Sequence, residues 1–191
     1  MSGTNGPFVP GMTKVSNTEK YVNMADIISA PDLSDQEMLA LIELLFFAYR
    51  DFVSDPDEIL KEFGFGRAHH RVVHFVGRDP GMTVAQLLDI LLITKQSLSR
   101  VLKELIDKGY VYQKEGETDR RQRLLYLTKP GEELSHRLMA PQIARIRRAL
   151  MQSEKQAYHH YRTMLYHLVS PENRESVRDW IDKASIIGDG P

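Results

Sequence analysis

The side chains best equipped for chemistry lie between Thr83 and Thr128, and they suit hydrogen bonding to a nucleic acid rather than bond making. From Thr94 to Lys108 the apolar residues Leu98, Val101, Leu102, Leu105 and Ile106 follow the i, i+3, i+4, i+7, i+8 spacing of a helix with one buried stripe. At about 100° per residue the opposite face carries Gln96, Arg100, Lys103 and Asp107. Lys95, Ser97 and Ser99 flank that face, and no carboxylate interrupts it before Glu104. Arginine can bridge O6 and N7 of guanine, glutamine N6 and N7 of adenine, and serine or lysine can reach a base or a phosphate. Thr94 sits at the helix start, where the free N–H groups favour an approaching phosphate. Farther on, Arg120, Arg121 and Arg123 crowd a polar segment, and an arginine so placed can enter a narrow minor groove. A polar outer face is what any surface helix shows, and helix-turn-helix geometry also occurs without DNA. The arginine cluster favours DNA, because helix and cluster must meet the same duplex.

Other residue sets point to less. His70 and His74 stand at i, i+4, a spacing that can share a zinc ion, but no third ligand is placed by the sequence. The expectation is two partly buried or hydrogen-bonded histidines, with no metal and no cofactor. His159, His160 and His167 are expected on a solvated or interface surface, and Tyr49, Tyr158, Tyr161, Tyr166 and Trp180 in the dimer core rather than as a stacking platform for bases. Cysteine is absent, which excludes disulfides, thiolate metal sites and thiol redox sensing. No Gly-rich phosphate loop, Ser-His-Asp order or pair of catalytic acids stands at a recognisable spacing, so no enzyme is expected.

These side chains need elements to hold them. Thr83 and Gln86 form a capping box that opens a short helix through Val84, Leu87, Leu88 and Leu91. Leu92-Ile93 then links it to the helix that Thr94 caps and Gly109 stops. The period changes at Tyr110. Tyr110–Lys114 and Arg123–Thr128 read as two strands around a polar tip, Glu115 to Arg121. Short helix, link, longer helix and hairpin is the order of a winged helix-turn-helix.

The fold class expected is therefore mainly α with a small β-hairpin wing, the winged lobe carrying a helical dimerisation region drawn from both termini. Residues 1–31, rich in Gly, Pro, Ser, Thr and Asn, read as a flexible arm. Residues 32–66 read as an N-terminal dimerisation helix and its connection, 67–129 as the DNA-binding lobe, and 130–191 as C-terminal dimerisation helices. The first helix opens at a Ser34–Glu37 capping box and is apolar around most of its girth (Met38, Leu41, Ile42, Leu44 to Ala48, Tyr49), which asks for a second subunit. Ser54-Asp55-Pro56 is expected to end it, a short helix running on through Leu60, and Pro141 to kink or break the helix that begins at Pro130. The helix Arg67–Gly77 buries Ala68, Val72, Phe75 and Val76. The overall charge of −1 hides an asymmetry: Arg67 to Arg123 holds 11 Lys/Arg against 7 Asp/Glu, while the rest is acidic. Neither a leader at Met1–Gly11 nor a run of membrane-spanning length is seen, so a soluble cytoplasmic protein without a membrane partner is expected.

Pro80 to Leu88 (PGMTVAQLL), Ile93 to Val101 (ITKQSLSRV), Leu105 to Val111 (LIDKGYV), Asp119-Arg120-Arg121 and Leu127-Thr128-Lys129-Pro130-Gly131 occur in an order and spacing that resembles the MarR family of transcription regulators. The resemblance covers about a hundred residues. It implies a homodimer with intertwined terminal helices and two winged lobes on a pseudo-palindromic operator. It further implies that Asp119 orients the wing and that Arg121 is the minor-groove residue. Small anionic or aromatic effectors of that family bind between lobe and dimer helices, which makes His69, His70 and His74 candidates for the pocket wall; the plainer alternative is that they pack the lobe against those helices. Leu92 departs from the pattern, since many relatives carry glycine in that link. The expected function is a sequence-specific double-stranded DNA-binding regulator, a repressor responsive to an effector. The alternative is a winged-helix protein-interaction module that does not bind DNA.

Overall fold

A computed structural model of the chain describes residues 33–117 and 119–187, so the arm expected at residues 1–31 lies outside it. The element order is α1 (Asp35–Lys61), α2 (Arg67–Arg78), α3 (Val84–Leu91), α4 (Lys95–Asp107), β1 (Val111–Glu115), β2 (Arg123–Leu127), α5 (Lys129–Met151), α6 (Ala157–Leu168) and α7 (Arg174–Ile187). A 3-10 turn, Pro171–Asn173, precedes α7. The fold is mainly helical with one antiparallel hairpin, as the change of period at Tyr110 predicts.

Apolar stripes converge on one core. Val72, Val73 and Val76 of α2 meet Leu87 and Leu91 of α3, Leu98, Val101, Leu102 and Leu105 of α4, and Leu134 and Leu138 of α5. Val111 and Leu125 close it from the hairpin, and Leu60 from the end of α1. Truncating one such fully buried leucine to alanine costs about 2–5 kcal/mol, so these positions hold α4 to the lobe.

The hairpin pairs Val111 with Leu127 and Glu115 with Arg123. Its second strand also binds the segment between α2 and α3. Gly81 N–H donates to Leu125 O at 2.8 Å, Leu125 N–H to Met82 O at 2.9 Å, and Thr83 bridges Leu124. The wing is thereby tied to the start of the helix-turn-helix. At its other end, Thr128 caps α5: its hydroxyl accepts from Gly131 N–H (3.2 Å) and donates to Gly109 O (2.6 Å). A Cβ at Gly131 would stand 2.1 Å from Tyr110 O, so the Leu-Thr-x-x-Gly spacing records a contact between the first turn of α5 and the strand entry.

The expected helix end at Pro56 needs correction, and so does a break at Pro141. The helix α1 continues through Ser54-Asp55-Pro56 to Lys61, with Pro56 buried inside it. A proline there leaves the Phe52 carbonyl without its helical donor. Gln142, a buried polar residue of α5, supplies one, its Nε2–H reaching Phe52 O at 3.4 Å. The helix α5 likewise runs unbroken through Pro141, since Leu134 and Leu138 before it and Gln142 after it are all buried. That packing offsets one missing hydrogen bond.

Near the C-terminus, α7 touches the lobe through an edge-on contact of Trp180 with Phe75 (5.4 Å between centroids) and a bond from Lys183 Nζ to Asp79 (2.8 Å). Much apolar surface stays uncovered: Met38, Leu41, Ile42 and Leu45 of α1 are 40–49% exposed, and in α6 Tyr158, Tyr161, Met164 and Leu168 are 47–58% exposed. Among the described residues no helix is long and apolar enough to cross a membrane.

Candidate nucleic-acid interface

The helix α4 starts at a well-formed cap. Thr94 Oγ1 accepts from Ser97 N–H at 3.2 Å and donates to Ser97 Oγ at 2.9 Å. The Thr94 hydroxyl is thus spent on the backbone it was expected to share with a phosphate, and Ser97 keeps one lone pair less. Before it, Leu92 adopts φ 50°, ψ 42°, the only non-glycine among the described residues with positive φ. The departure noted at Leu92 therefore lies at the one position of the link where glycine would be unstrained, and its side chain is 75% exposed. The link keeps its left-handed geometry despite the leucine.

The buried side of α4 is Leu98, Val101, Leu102 and Leu105, so Lys95, Gln96, Ser99, Arg100 and Lys103 face outward and are exposed. Among the described residues the side chains of Lys95, Gln96, Ser99 and Arg100 have no hydrogen-bonding or ionic partner. Lys103 differs, being paired with Asp107 one turn along. The reading face is consequently most open over its first two turns, next to the positive end of the helix.

On the wing, Arg120 and Arg121 are exposed and without a side-chain partner among the described residues. Asp119 Oδ1 accepts from Arg121 N–H at 2.9 Å, Gln122 N–H donates to Asp119 O (3.0 Å), and Gly116 N–H to Gln122 O (3.1 Å). Arg123 is placed differently from its two neighbours. It lies across the ladder from Glu115 and donates to that carboxylate at 2.8 Å, so it has an acidic partner within the hairpin. The sequence joins three arginines in one cluster; the register separates two from the third. A feature missed altogether is the stack of Tyr112 on Tyr126 (5.3 Å), with Lys114 Nζ 5.1 Å from the Tyr126 ring. Alternation within the strands puts those three on one face, a signal that was there to read.

The three candidate pocket histidines part company. His70 and His74 sit partly buried on α2, and burial pushes both below the usual histidine range, His74 to about 4 with help from the charges of His70 and Arg78. Among the described residues no three metal-ligating side chains converge there. His69 points the other way. Its Nδ1 accepts from Gly66 N–H at 3.1 Å and its Nε2 lies 3.0 Å from Glu104 Oε2 on α4, an arrangement that asks for the Nε2–H tautomer. Glu104 is held below the usual carboxylate range, first by Lys108 and then by His69. Gly66-Arg67-Ala68-His69 has the spacing of a capping box, so half of this bond was legible; the reach to Glu104, 35 residues away, was not.

Comparison with known proteins agrees with this geometry. Residues 63–122, from the start of the α1–α2 loop to the wing tip, match the model of the MarR family. The chain is 44% identical over 142 residues to the HTH-type transcriptional regulator PetP of Rhodobacter capsulatus, covering 74% of this chain and 86% of that protein. Among solved structures it resembles FabT of Streptococcus pneumoniae, crystallised in complex with DNA, at a TM-score of 0.62 and 19% identity over 69% of this chain and 94% of that one. It also resembles a SlyA-like transcription regulator from Listeria monocytogenes at a TM-score of 0.58 and 18% identity, covering 78% and 95% of the two chains. At those identities the structural likeness speaks for the fold.

Proposed function

The chain belongs to the MarR family of helix-turn-helix transcription regulators, which are not enzymes, and from that premise we propose that it is a homodimeric repressor that reads a pseudo-palindromic operator in double-stranded DNA. The observation that carries the reading is the pairing of two open cationic elements on one lobe: the first turns of α4, with Lys95, Gln96, Ser99 and Arg100 exposed and unpartnered among the described residues, and the wing tip with Arg120 and Arg121. Arg100 and Gln96 read base edges in the major groove, Lys95 takes a phosphate, and Arg121 enters the minor groove. The Asp119 carboxylate that receives Arg121 N–H holds the wing arginine in place. Thr94, Ser97, Lys103 and Arg123 contribute less, their polar atoms being engaged within the lobe. FabT, whose fold this chain shares, was crystallised with DNA, which suits the same docking here.

A second copy of the chain accounts for the apolar surface of α1 and α6. It also accounts for an open groove of about 540 Å³ lined by Phe52, Ile143, Ile146, Leu150 and Met151. An effector, small and aromatic or anionic, lowers operator affinity by favouring a lobe spacing that no longer fits half-sites about 34 Å apart. His70 and His74 remain candidates for its pocket wall, with His69 committed to α4 instead.

The test is selection of genomic fragments by the purified protein, followed by salt titration of the best fragment. A palindrome should emerge, bound more weakly as salt rises, and Arg100→Ala with Arg121→Ala should abolish selection while leaving the protein folded and dimeric. Affinity that is equal for all fragments and indifferent to salt would refute the proposal.

A further inference from the structure

His69 and Glu104 close a ring of contacts that holds the C-terminal half of α4 against the entry to α2. The imidazole joins the two elements: Nδ1 takes the Gly66 N–H at 3.1 Å, and Nε2–H is directed to Glu104 Oε2 at 3.0 Å. From Glu104 the ring continues to Lys108, whose Nζ lies 3.2 Å from Glu104 Oε1 and donates to Phe63 O at 2.9 Å. It closes through Phe65, which stacks on His69 (4.7 Å) and carries Lys108 Nζ 4.6 Å from its ring centroid. The His69 side chain is 13% exposed, while Glu104 and Lys108 at the outer side of the ring are 38% and 42% exposed.

We infer that His69 is a positioning residue for DNA reading: with Glu104 it sets the rotation and tilt of α4, and so where Gln96 and Arg100 fall in the major groove. The inference rests on the reading of α4 as the recognition helix. Apolar packing alone leaves a helix some freedom to slide and rotate over its neighbours, whereas a hydrogen bond to a charged group with fixed angles does not. The imidazole suits the task because one ring accepts from the backbone and donates to the carboxylate in opposite directions. The same loop is tied to α5, since Arg137 pairs with Glu62 at 2.7 Å and lies 5.2 Å from the Phe63 ring.

The experiment compares the wild type, His69→Phe and His69→Gln on two duplexes of equal length: the tightest binder selected by the wild type from random sequence, and a scrambled version of it. Phenylalanine keeps the stack on Phe65 and loses both bonds; glutamine can accept from Gly66 and donate to Glu104. For His69→Phe, measured while fully folded, affinity for the selected duplex should fall about tenfold. Affinity for the scrambled one, held by phosphate contacts, should stay within twofold. His69→Gln should return discrimination to within threefold of the wild type. Unchanged discrimination in folded His69→Phe, or equal loss on both duplexes, overturns the inference. Ring nitrogen NMR of the free wild type supplies a readout that needs no DNA: the Nε2–H tautomer is expected, and a proton resting on Nδ1 overturns the ring of contacts. A wild type that selects no sequence while showing the Nε2–H tautomer leaves the contacts standing, but overturns the DNA reading and the positioning role with it.

Discussion

Replacing His74 by glutamine should flatten the acid side of the protein's stability curve. In the folded chain burial disfavours the imidazolium at His74, the charges of His70 and Arg78 add to the effect, and its pKa falls to about 4. In the unfolded chain it titrates near its ordinary value of about 6.5. Between those two values the unfolded state binds a proton that the folded state refuses, so unfolding is favoured as pH falls. Stability is complete above about pH 6.5, declines toward pH 4, and loses nothing further from this group below that, where both states are protonated. The slope approaches about 1.4 kcal/mol per pH unit, and over the whole window the loss reaches about 3 kcal/mol. For a chain of this size that is roughly 6–12 °C in midpoint temperature. His70, also lowered by burial, acts in the same direction. The assay is thermal or urea unfolding from pH 7.5 to 4 at one fixed protein concentration, which keeps any dimer contribution constant. Carboxylates with lowered pKa, such as Glu104, weaken both proteins at the acid end, so the difference between wild type and His74→Gln isolates the histidine. If the two lose stability in parallel between pH 6.5 and 4.5, His74 is not buried in its neutral form and the reasoning fails.

Two further substitutions test the frame that carries the reading head. Gly131→Ala would place a methyl group 2.1 Å from Tyr110 O; although alanine is favoured in a helix by about 1 kcal/mol, the displaced backbone should cost about 3 kcal/mol or more in urea unfolding. At the left-handed link, Leu92→Gly should raise stability by about 0.5 kcal/mol, strain relief outweighing chain entropy, while Leu92→Val should lower it by about 1 kcal/mol. Equal midpoints for Leu92→Val and the wild type would show that the link is not held at positive φ in solution.

Much of this was legible because it is local. The capping boxes at Ser34–Glu37 and Thr83–Gln86 form as their spacing requires, with Ser34 N–H to Glu37 Oε2 at 2.8 Å and Thr83 N–H to Gln86 Oε1 at 2.8 Å. The stripe of α4 and the alternation of the hairpin likewise follow from periods of 3.6 and 2. What was not legible has another cause. Pro56 signals a helix end only if nothing replaces the lost donor, and the replacement is Gln142, 90 residues from Phe52. Arg123 looks like a third wing cation until the register sets it opposite Glu115. His69 reads as one of three similar histidines until Glu104 takes it. Two depend on a side chain remote in sequence and the third on the register of a hairpin, and periodicity carries no information about either.

The buried core runs from Leu60 to Leu138, and the buried hydrophobic residues described all fall within that interval. On a ribosome the winged lobe can therefore close while residues 139–191 are still being made, at a synthesis rate that leaves seconds for the purpose. Only afterwards do Trp180 and Lys183 emerge to meet Phe75 and Asp79, and only then is α6 available with its apolar side still uncovered. The order of events is written into the chain: the head is finished first, and whatever covers α6 meets a lobe that is already folded.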